Sequence, residues 1–409
     1  MTTFLILWLT ALVVGVALVW LYTVGMRRRI TLDIEPPVAV IVAVKGHDRD
    51  FDEFLVRLFE QDYPNFRVIF AVESEDDDAV PVIRKCYELA PQRVELVVAG
   101  RATDEGQKTA NLRAAVAQLR YDDEILVFAD ADIWPEQDWL VRLVTPLVWR
   151  RADIVTGFRW VVARDNSFGS LISASIAAMI ATVPRLPYLN GTWGGSTAIR
   201  QDQFRALDIA SKWRGVLSED LQLTNVAVGA GLKIEAPREL LLRTSGNALG
   251  YAGVVAEMRR WYMMMRVHMP VAYALALIIV TLGTFGWVLA IGGALIGRVD
   301  AIVVLIFALL FAIARLLARR RLVRALWGRS GLAENRLFLF TDWAIAPFAI
   351  LTSAVCGWSA LLMHRTTWAG ITYEVRGPRA IDVLSRGRAS PRHGQQTVNA
   401  RGDFSSISS

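Results

Sequence analysis

The chain has 409 residues, 54% of them hydrophobic, with 45 Lys and Arg against 39 Asp and Glu, a net charge of +6. A mean hydropathy of +0.36 excludes an ordinary soluble protein and points to membrane segments flanking a globular part. The basic balance does not argue for a nucleic-acid partner, because the clustered Arg lies beside apolar segments, where anionic membrane lipids are the simpler counter-charge.

Residues 4–22 are the first apolar run, uncharged and long enough to cross a bilayer, and Arg27, Arg28 and Arg29 follow it. Charges after the run, with no small-residue cleavage site, predict an anchor rather than a removed leader. From Val38 the pattern alternates, with strands at 38–44, 66–72, 94–98 and 124–129 and helices at 51–61, 79–89 and 108–119. Such alternation predicts an α/β sheet whose ligand sits at the carboxyl ends of the strands.

Acids gather at those ends. Val72 runs into Glu73, Ser74, Glu75, Asp76, Asp77 and Asp78, which suits either a solvated loop entering a helix or a ligand-binding loop. Residues 128–133 read FADADI. On a strand, positions two apart share a side, so Asp130 and Asp132 would face one divalent cation bridging a diphosphate; a strand end running into an acidic loop is the alternative. Lys108, after a turn at Gly106, suits a phosphate or carboxylate contact or a plain surface position. Residues 191–195 (GTWGG) form either a turn or a loop whose backbone, at Gly194 and Gly195, closely approaches a ligand. Ser218, Glu219 and Asp220 precede a helical pattern over 221–230, either as a helix cap with first-turn acids or with Asp220 as a base beside an acceptor. Residues 258–266 (MRRWYMMMR) suit an interfacial helix, and their Arg and Trp also suit a clamp for a diphosphate and a stacking surface for a sugar or lipid head.

Three further apolar segments follow at 271–297, 301–318 and 337–363, and Arg319, Arg320, Arg321, Arg324 and Arg329 lie between the last two. The positive-inside rule puts that cluster, and with it the globular middle, in the cytosol. Asp342, Trp343 and Pro347 leave the last segment open between a span and a re-entrant helix. Cys86 and Cys356 are too far apart in type of environment for a disulfide framework or a thiolate metal site. The expected division is an anchor at 1–29, a catalytic domain at 36–250, an interfacial helix at 251–270, membrane segments at 271–363, a W-x-G-x-x-Y segment at 364–380 and a disordered basic tail at 381–409.

These motifs, in this order, resemble the membrane-anchored family-2-type glycosyltransferases with D, D, D and Q/R-x-x-R-W signatures, and within them ceramide glucosyltransferase and its bacterial lipid and hopanoid relatives. The resemblance runs from Val38 to Pro270 and returns at Trp368, Gly370 and Tyr373. It is carried by Lys45 and Gly46, QDYP at 61–64, Asp76 to Ala79, KTANL at 108–112, Asp130 to Ile133, GGSTAIR at 194–200, Ser218 to Asp220, and Arg260 with Trp261. The resemblance implies a GT-A-like (Rossmann-like) mixed-sheet α/β domain with N-terminal and C-terminal transmembrane helices. It places Asp77 near the nucleotide, in a loop that also offers Glu73, Asp130 on a metal and the diphosphate, and Asp220 as the base. Arg260 and Trp261 match the end of the final motif. Three positions depart from the pattern: Glu257 stands where that motif has Gln or Arg, Val183 replaces a His before Pro184 and Arg185, and Asp132 completes a D-x-D where the animal ceramide enzymes have D-S-G.

The expected activity is transfer of a hexose, glucose in the ceramide enzymes, from a UDP-linked or other nucleotide sugar to a lipid hydroxyl such as that of ceramide, with inversion and with Mg²⁺ or Mn²⁺ as cofactor. The protein is expected to be multi-pass, with its catalytic domain on the cytosolic face of a bacterial inner membrane. A processive polysaccharide synthase shares the motifs but needs a wider helix bundle. A non-enzymatic lipid-binding scaffold leaves the acids at three element ends unexplained.

Overall fold

The structure is a computed structural model that describes residues 1–24, 34–163, 165–183, 185, 188, 190–245 and 250–387. Arg27 to Arg29, Pro184 and the tail from 388 lie outside the described residues. In chain order the elements begin with α1 (Thr2–Tyr22), β1 (Val38–Ala43), α2 (Arg49–Phe59), β2 (Phe66–Val72), α3 (Val80–Leu89), β3 (Val94–Val98), α4 (Gln107–Val116), β4 (Ile125–Asp130) and β5 (Ile133–Trp134). They continue with α5 (Trp139–Val148), β6 (Ile154–Thr156), β7 (Phe158–Val162), α6 (Phe168–Ala181), β8 (Ser196–Arg200), α7 (Gln201–Ala206), α8 (Ile209–Lys212), α9 (Glu219–Gly229), β9 (Ile234–Glu235) and β10 (Leu241–Ser245). Helices α10 (Tyr251–His268), α11 (Pro270–Leu295), α12 (Val299–Glu334) and α13 (Arg336–Ser359) precede the closing strands β11 (Arg365–Trp368), β12 (Ile371–Gly377) and β13 (Ala380–Arg386).

Two compact units result. The first comprises Arg28–Arg159, Arg185–Thr244 and His364–Ser409, the second Met1–Arg27, Trp160–Pro184 and Ser245–Met363. The expected continuous domain over 36–250 is therefore corrected, since residues 160–184 group with the long helices. The reason is visible in α6: its 14 residues are almost all apolar or small, and most of them are buried.

The α/β unit is built on a mixed sheet of order β3-β2-β1-β4-β8-β6-β9. Strands β1, β2, β3 and β4 run parallel, and β8 is antiparallel to both β4 and β6. A parallel strand covered on both faces has no polar side, which is why β1 and β2 read as unbroken apolar runs. Val38, Val40 and Val42 pack with Phe51, Phe54, Leu58 and Ile83 on one face. Ala39 and Ile41 pack with Leu112, Ala115 and Leu223 on the other. Each such fully buried aliphatic or aromatic side chain contributes about 1.5–3 kcal/mol.

Strands β11, β12 and β13 form a separate antiparallel sheet in the same unit. This corrects the expectation that disorder begins at 381: Ile381 is buried and β13 pairs with β12 along its length.

Among the described residues, the helical unit has four helices long and apolar enough to cross a membrane, at Thr2–Tyr22, Pro270–Leu295, Val299–Glu334 and Arg336–Leu362. The last contains Pro347 and keeps its helical bonding to Ser359. Its one acid, Asp342, is fully buried and accepts from the Arg319 Nη1 of α12 at 2.6 Å and the Ser175 Oγ of α6 at 2.8 Å. Helix α12 carries a non-helical residue, Gly328 (φ 65°), where its basic end turns. Both cysteines are buried and free.

Candidate active site

The site grows from the carboxyl ends of β1, β2 and β4. After β2, Asp77 folds back so that its Oδ1 accepts from the backbone N–H of Gly46 at 2.9 Å and of Ala79 at 3.0 Å. One carboxylate thereby ties the loop after β1 to the loop after β2. Gly46 has φ +74°, a conformation that favours glycine. Glu73, 7% exposed, is surrounded by cations: it pairs with Lys45, lies 2.7 Å from Arg386 Nη1 and 3.6 Å from Arg101 Nε.

At the end of β4, Lys108 from the first turn of α4 places its Nζ 2.6 Å from Asp130 Oδ1 and 2.7 Å from Glu219 Oε1. Burial works against the Lys108 charge, but Asp130, Glu219 and Asp220 outweigh it and hold the ammonium above its ordinary range. Glu219 is 3% exposed. Burial pushes its carboxyl up to about 7, helped by the negative charges of Asp220 and Asp130 and opposed by Lys108.

The Gly-rich loop joins these groups. Gly195 O accepts from Asp130 N at 3.3 Å, and Gly194 N donates to Asp220 Oδ2 at 3.1 Å. A Cβ on Gly194 would stand 2.5 Å from Glu219 Oε1 and 2.8 Å from Lys108 Nζ, so only glycine lets the backbone come this close. Asp220 is half-buried; its Oδ1 accepts from Ser218 Oγ and, at 2.7 Å, from Leu221 N. Ser218 thus holds Asp220 instead of capping α9 with its own side chain.

The fold brings Lys108, Asp130, Gly194, Gly195, Glu219 and Asp220 together, with Asp77 and Glu73 on the adjoining strand end. Arg260 and Trp261 lie on α10 in the helical unit, where Arg260 Nη2 is 3.8 Å from Glu257 Oε1. The departure at Glu257 therefore supplies a carboxylate one turn from the motif arginine. Arg185, beside the Val183 departure, lays its guanidinium 4.8 Å from the centre of the Phe158 ring.

The D-x-D needs a correction. β4 ends at Asp130, and Asp132 lies in the turn before β5, so the two acids are not alternate residues of one strand. Among the described residues no group of three or more His, Cys, Asp or Glu could by itself hold a metal ion. The donor set still fits Mg²⁺ or Mn²⁺, which are commonly held by one or two carboxylates together with substrate phosphates.

Sequence reasoning missed two residues. Glu219 reads in the sequence only as a first-turn acid beside Asp220. Arg386 was assigned to the tail; its guanidinium reaches Glu73, Ala102 O and, at 3.1 Å, Gln107 Oε1. The sheet bearing Arg386 is seated by Val383 N donating to Thr103 O at 3.2 Å and Gln107 N donating to the buried Tyr373 OH at 3.2 Å.

A family model described as Glycosyl transferase family 21 matches residues 3–381. Among curated proteins, ceramide glucosyltransferase 1 of Caenorhabditis elegans is 25% identical over 114 residues, 28% of this chain and 24% of its own length. Ceramide glucosyltransferase of Komagataella phaffii is 28% identical over 128 residues, 29% of this chain and 25% of its own. The chain thus spans about a quarter of the length of these relatives. Among solved structures, the mannosyltransferase PcManGT of Pyrobaculum calidifontis, in complex with GDP-Man and Mn²⁺, is 18% identical with a TM-score of 0.49, covering 88% of this chain and 99% of that one. S. aureus TarS 1–349 with UDP-GlcNAc is 14% identical with a TM-score of 0.40, covering 86% and 100%.

Proposed function

Since the chain belongs to glycosyl transferase family 21, we propose that it transfers a hexose, glucose in the first instance, from a UDP-linked sugar to the hydroxyl of a membrane lipid such as ceramide, on the cytosolic face. The observation that carries this reading is the single ammonium of Lys108 held between Asp130 and Glu219 beside the Gly194 backbone. Four separate sequence motifs converge there on one point at the strand ends, where α/β sheets bind ligands.

In the proposed reaction the acceptor oxygen attacks the anomeric carbon, the bond from that carbon to the diphosphate breaks, and the hydroxyl proton passes to Asp220. Asp220 suits this role because it is the half-exposed acid of the pair, with the Gly194 amide and Ser218 fixing its direction. Glu219, buried on Lys108, sets the position and charge of the ammonium. Lys108 in turn offers a positive group to a diphosphate arriving at Asp130. Asp130 and Asp132 would hold Mg²⁺ or Mn²⁺, whose charge would offset the negative charge that gathers on the departing diphosphate. Asp77 and Glu73 shape the nucleotide side, the latter with its charge balanced by Lys45 and Arg386. Arg260 and Trp261 are assigned to the leaving diphosphate and the lipid head.

A screen of nucleotide sugars against short-chain lipids, read by mass spectrometry, tests the proposal. A hexosyl lipid formed from one donor supports it. Transfer only to a growing sugar chain, or to no lipid at all, would overturn it.

A further inference from the structure

Buried charge in the helical unit does not balance. On α12, Arg319 is fully buried and Arg315 keeps only 17% of its side chain exposed, while one acid, Asp342 of α13, faces both, 2.6 Å from Arg319 Nη1 and 3.8 Å from Arg315 Nε. Ser175 of α6 takes the other Asp342 oxygen. Two guanidinium groups thus share one carboxylate. The Nε and Nη2 atoms of both arginines are buried and have no hydrogen-bond partner among the described residues.

Guanidinium N–H groups in such a place call for an anion, because a buried donor without an acceptor is unfavourable and a buried unpaired charge more so. A phosphate, with several acceptor oxygens, matches paired guanidinium groups through charge-assisted hydrogen bonds. The depth is suitable as well. At 1.5 Å per residue, Arg319 lies about 30 Å along α12 from Val299, one hydrocarbon thickness, where lipid phosphates are found. Arg320, Arg321, Arg324 and Arg329 beyond it are all exposed, which sets Arg319 apart from the solvated basic end of the helix. Arg315, 17% exposed, is the more accessible of the two arginines, and Arg319 is the fully buried one.

We propose that Arg315 and Arg319 form a buried phosphate site in the membrane-helix unit, occupied by the headgroup of an anionic phospholipid. The site is independent of the transferase reading, since none of its residues takes part in the proposed reaction.

The test uses the full chain in delipidated, non-ionic detergent solution, with phosphatidylglycerol, phosphatidylcholine or inorganic phosphate added. Native mass spectrometry should show one retained phosphatidylglycerol per chain, with a raised Tm, and a retention at least about fivefold weaker in Arg315→Gln. Arg315→Gln leaves the Arg319–Asp342 pair whole, so folding is not put at risk. Arg320→Gln, an exposed control, should retain the lipid as the parent does. Equal retention by the parent and Arg315→Gln, no retention at all, or equal loss in Arg320→Gln would overturn the site. An equal stabilisation by inorganic phosphate alone would overturn the lipid as its source.

Discussion

Replacing Lys108 by Met removes the ammonium between Asp130 and Glu219 while keeping a side chain of similar length. Breaking a buried ion pair costs about 3–5 kcal/mol, because the remaining charge is left without a partner. Here the remaining charge can be neutralised. The folded-state pKa of Glu219 is raised from 4.5 to about 7, so its contribution to stability is fully present below about pH 4.5 and is lost as pH rises through about 7. Without Lys108 the Glu219 carboxyl moves higher still, so on folding between pH 8 and 7 the variant binds a proton that the parent largely does not. One proton is worth about 1.4 kcal/mol per pH unit. The deficit of Lys108→Met should therefore be largest at pH 8 and smaller by about 1–1.5 kcal/mol at pH 6. Thermal unfolding in detergent at pH 6, 7 and 8 reads this as a Tm gap that narrows towards acid. A gap of constant size, or no gap, would refute the coupling of Lys108 to Glu219.

Four other outcomes follow from the same geometry. Asp220→Asn should keep a near-parental Tm and lose about 10² to 10⁴ in transfer rate, the usual range for a general base; retention of more than about a tenth would remove that role. Glu219→Gln should be milder, within about tenfold, since it leaves Asp220 in place and Lys108 on Asp130. Gly194→Ala should lower transfer by about tenfold to a hundredfold with little change in Tm, because its Cβ would displace the Lys108 and Glu219 tips but no backbone; unchanged transfer would deny the close approach. Arg386→Ala should raise the KM for the nucleotide sugar by about tenfold, with Arg386→Lys partly restoring it, since a charge-assisted contact of about 1.5–3 kcal/mol is lost at Glu73; steady-state kinetics with a fixed lipid concentration checks it.

Much of the α/β unit could be read from sequence because its strands are buried on both faces: the β2 and β3 boundaries expected at 66–72 and 94–98 are those observed. The D-x-D was harder. A strand and the turn that ends it have the same local composition, and the turn at 131–132 takes Asp132 off the strand. Helix α6 gave no usable signal, since 14 apolar and small residues suit a buried helix but are too few to span a bilayer. Arg386 was hidden by its neighbours: LSRGRAS reads as a tail, although Ile381 and Val383 already alternate with polar residues as a strand does. The convergence of Lys108 on both Asp130 and Glu219 depends on the order β1-β4-β8, a long-range pairing that no local pattern states.

One measurement tests the proposed transfer most directly: purified protein, UDP-glucose, a short-chain ceramide and Mg²⁺, with glycolipid and free UDP quantified together. One hexosyl lipid is expected for each UDP released, with loss of both in a folded Asp130→Asn variant. UDP release without glycolipid, or full turnover by folded Asp130→Asn, would contradict it.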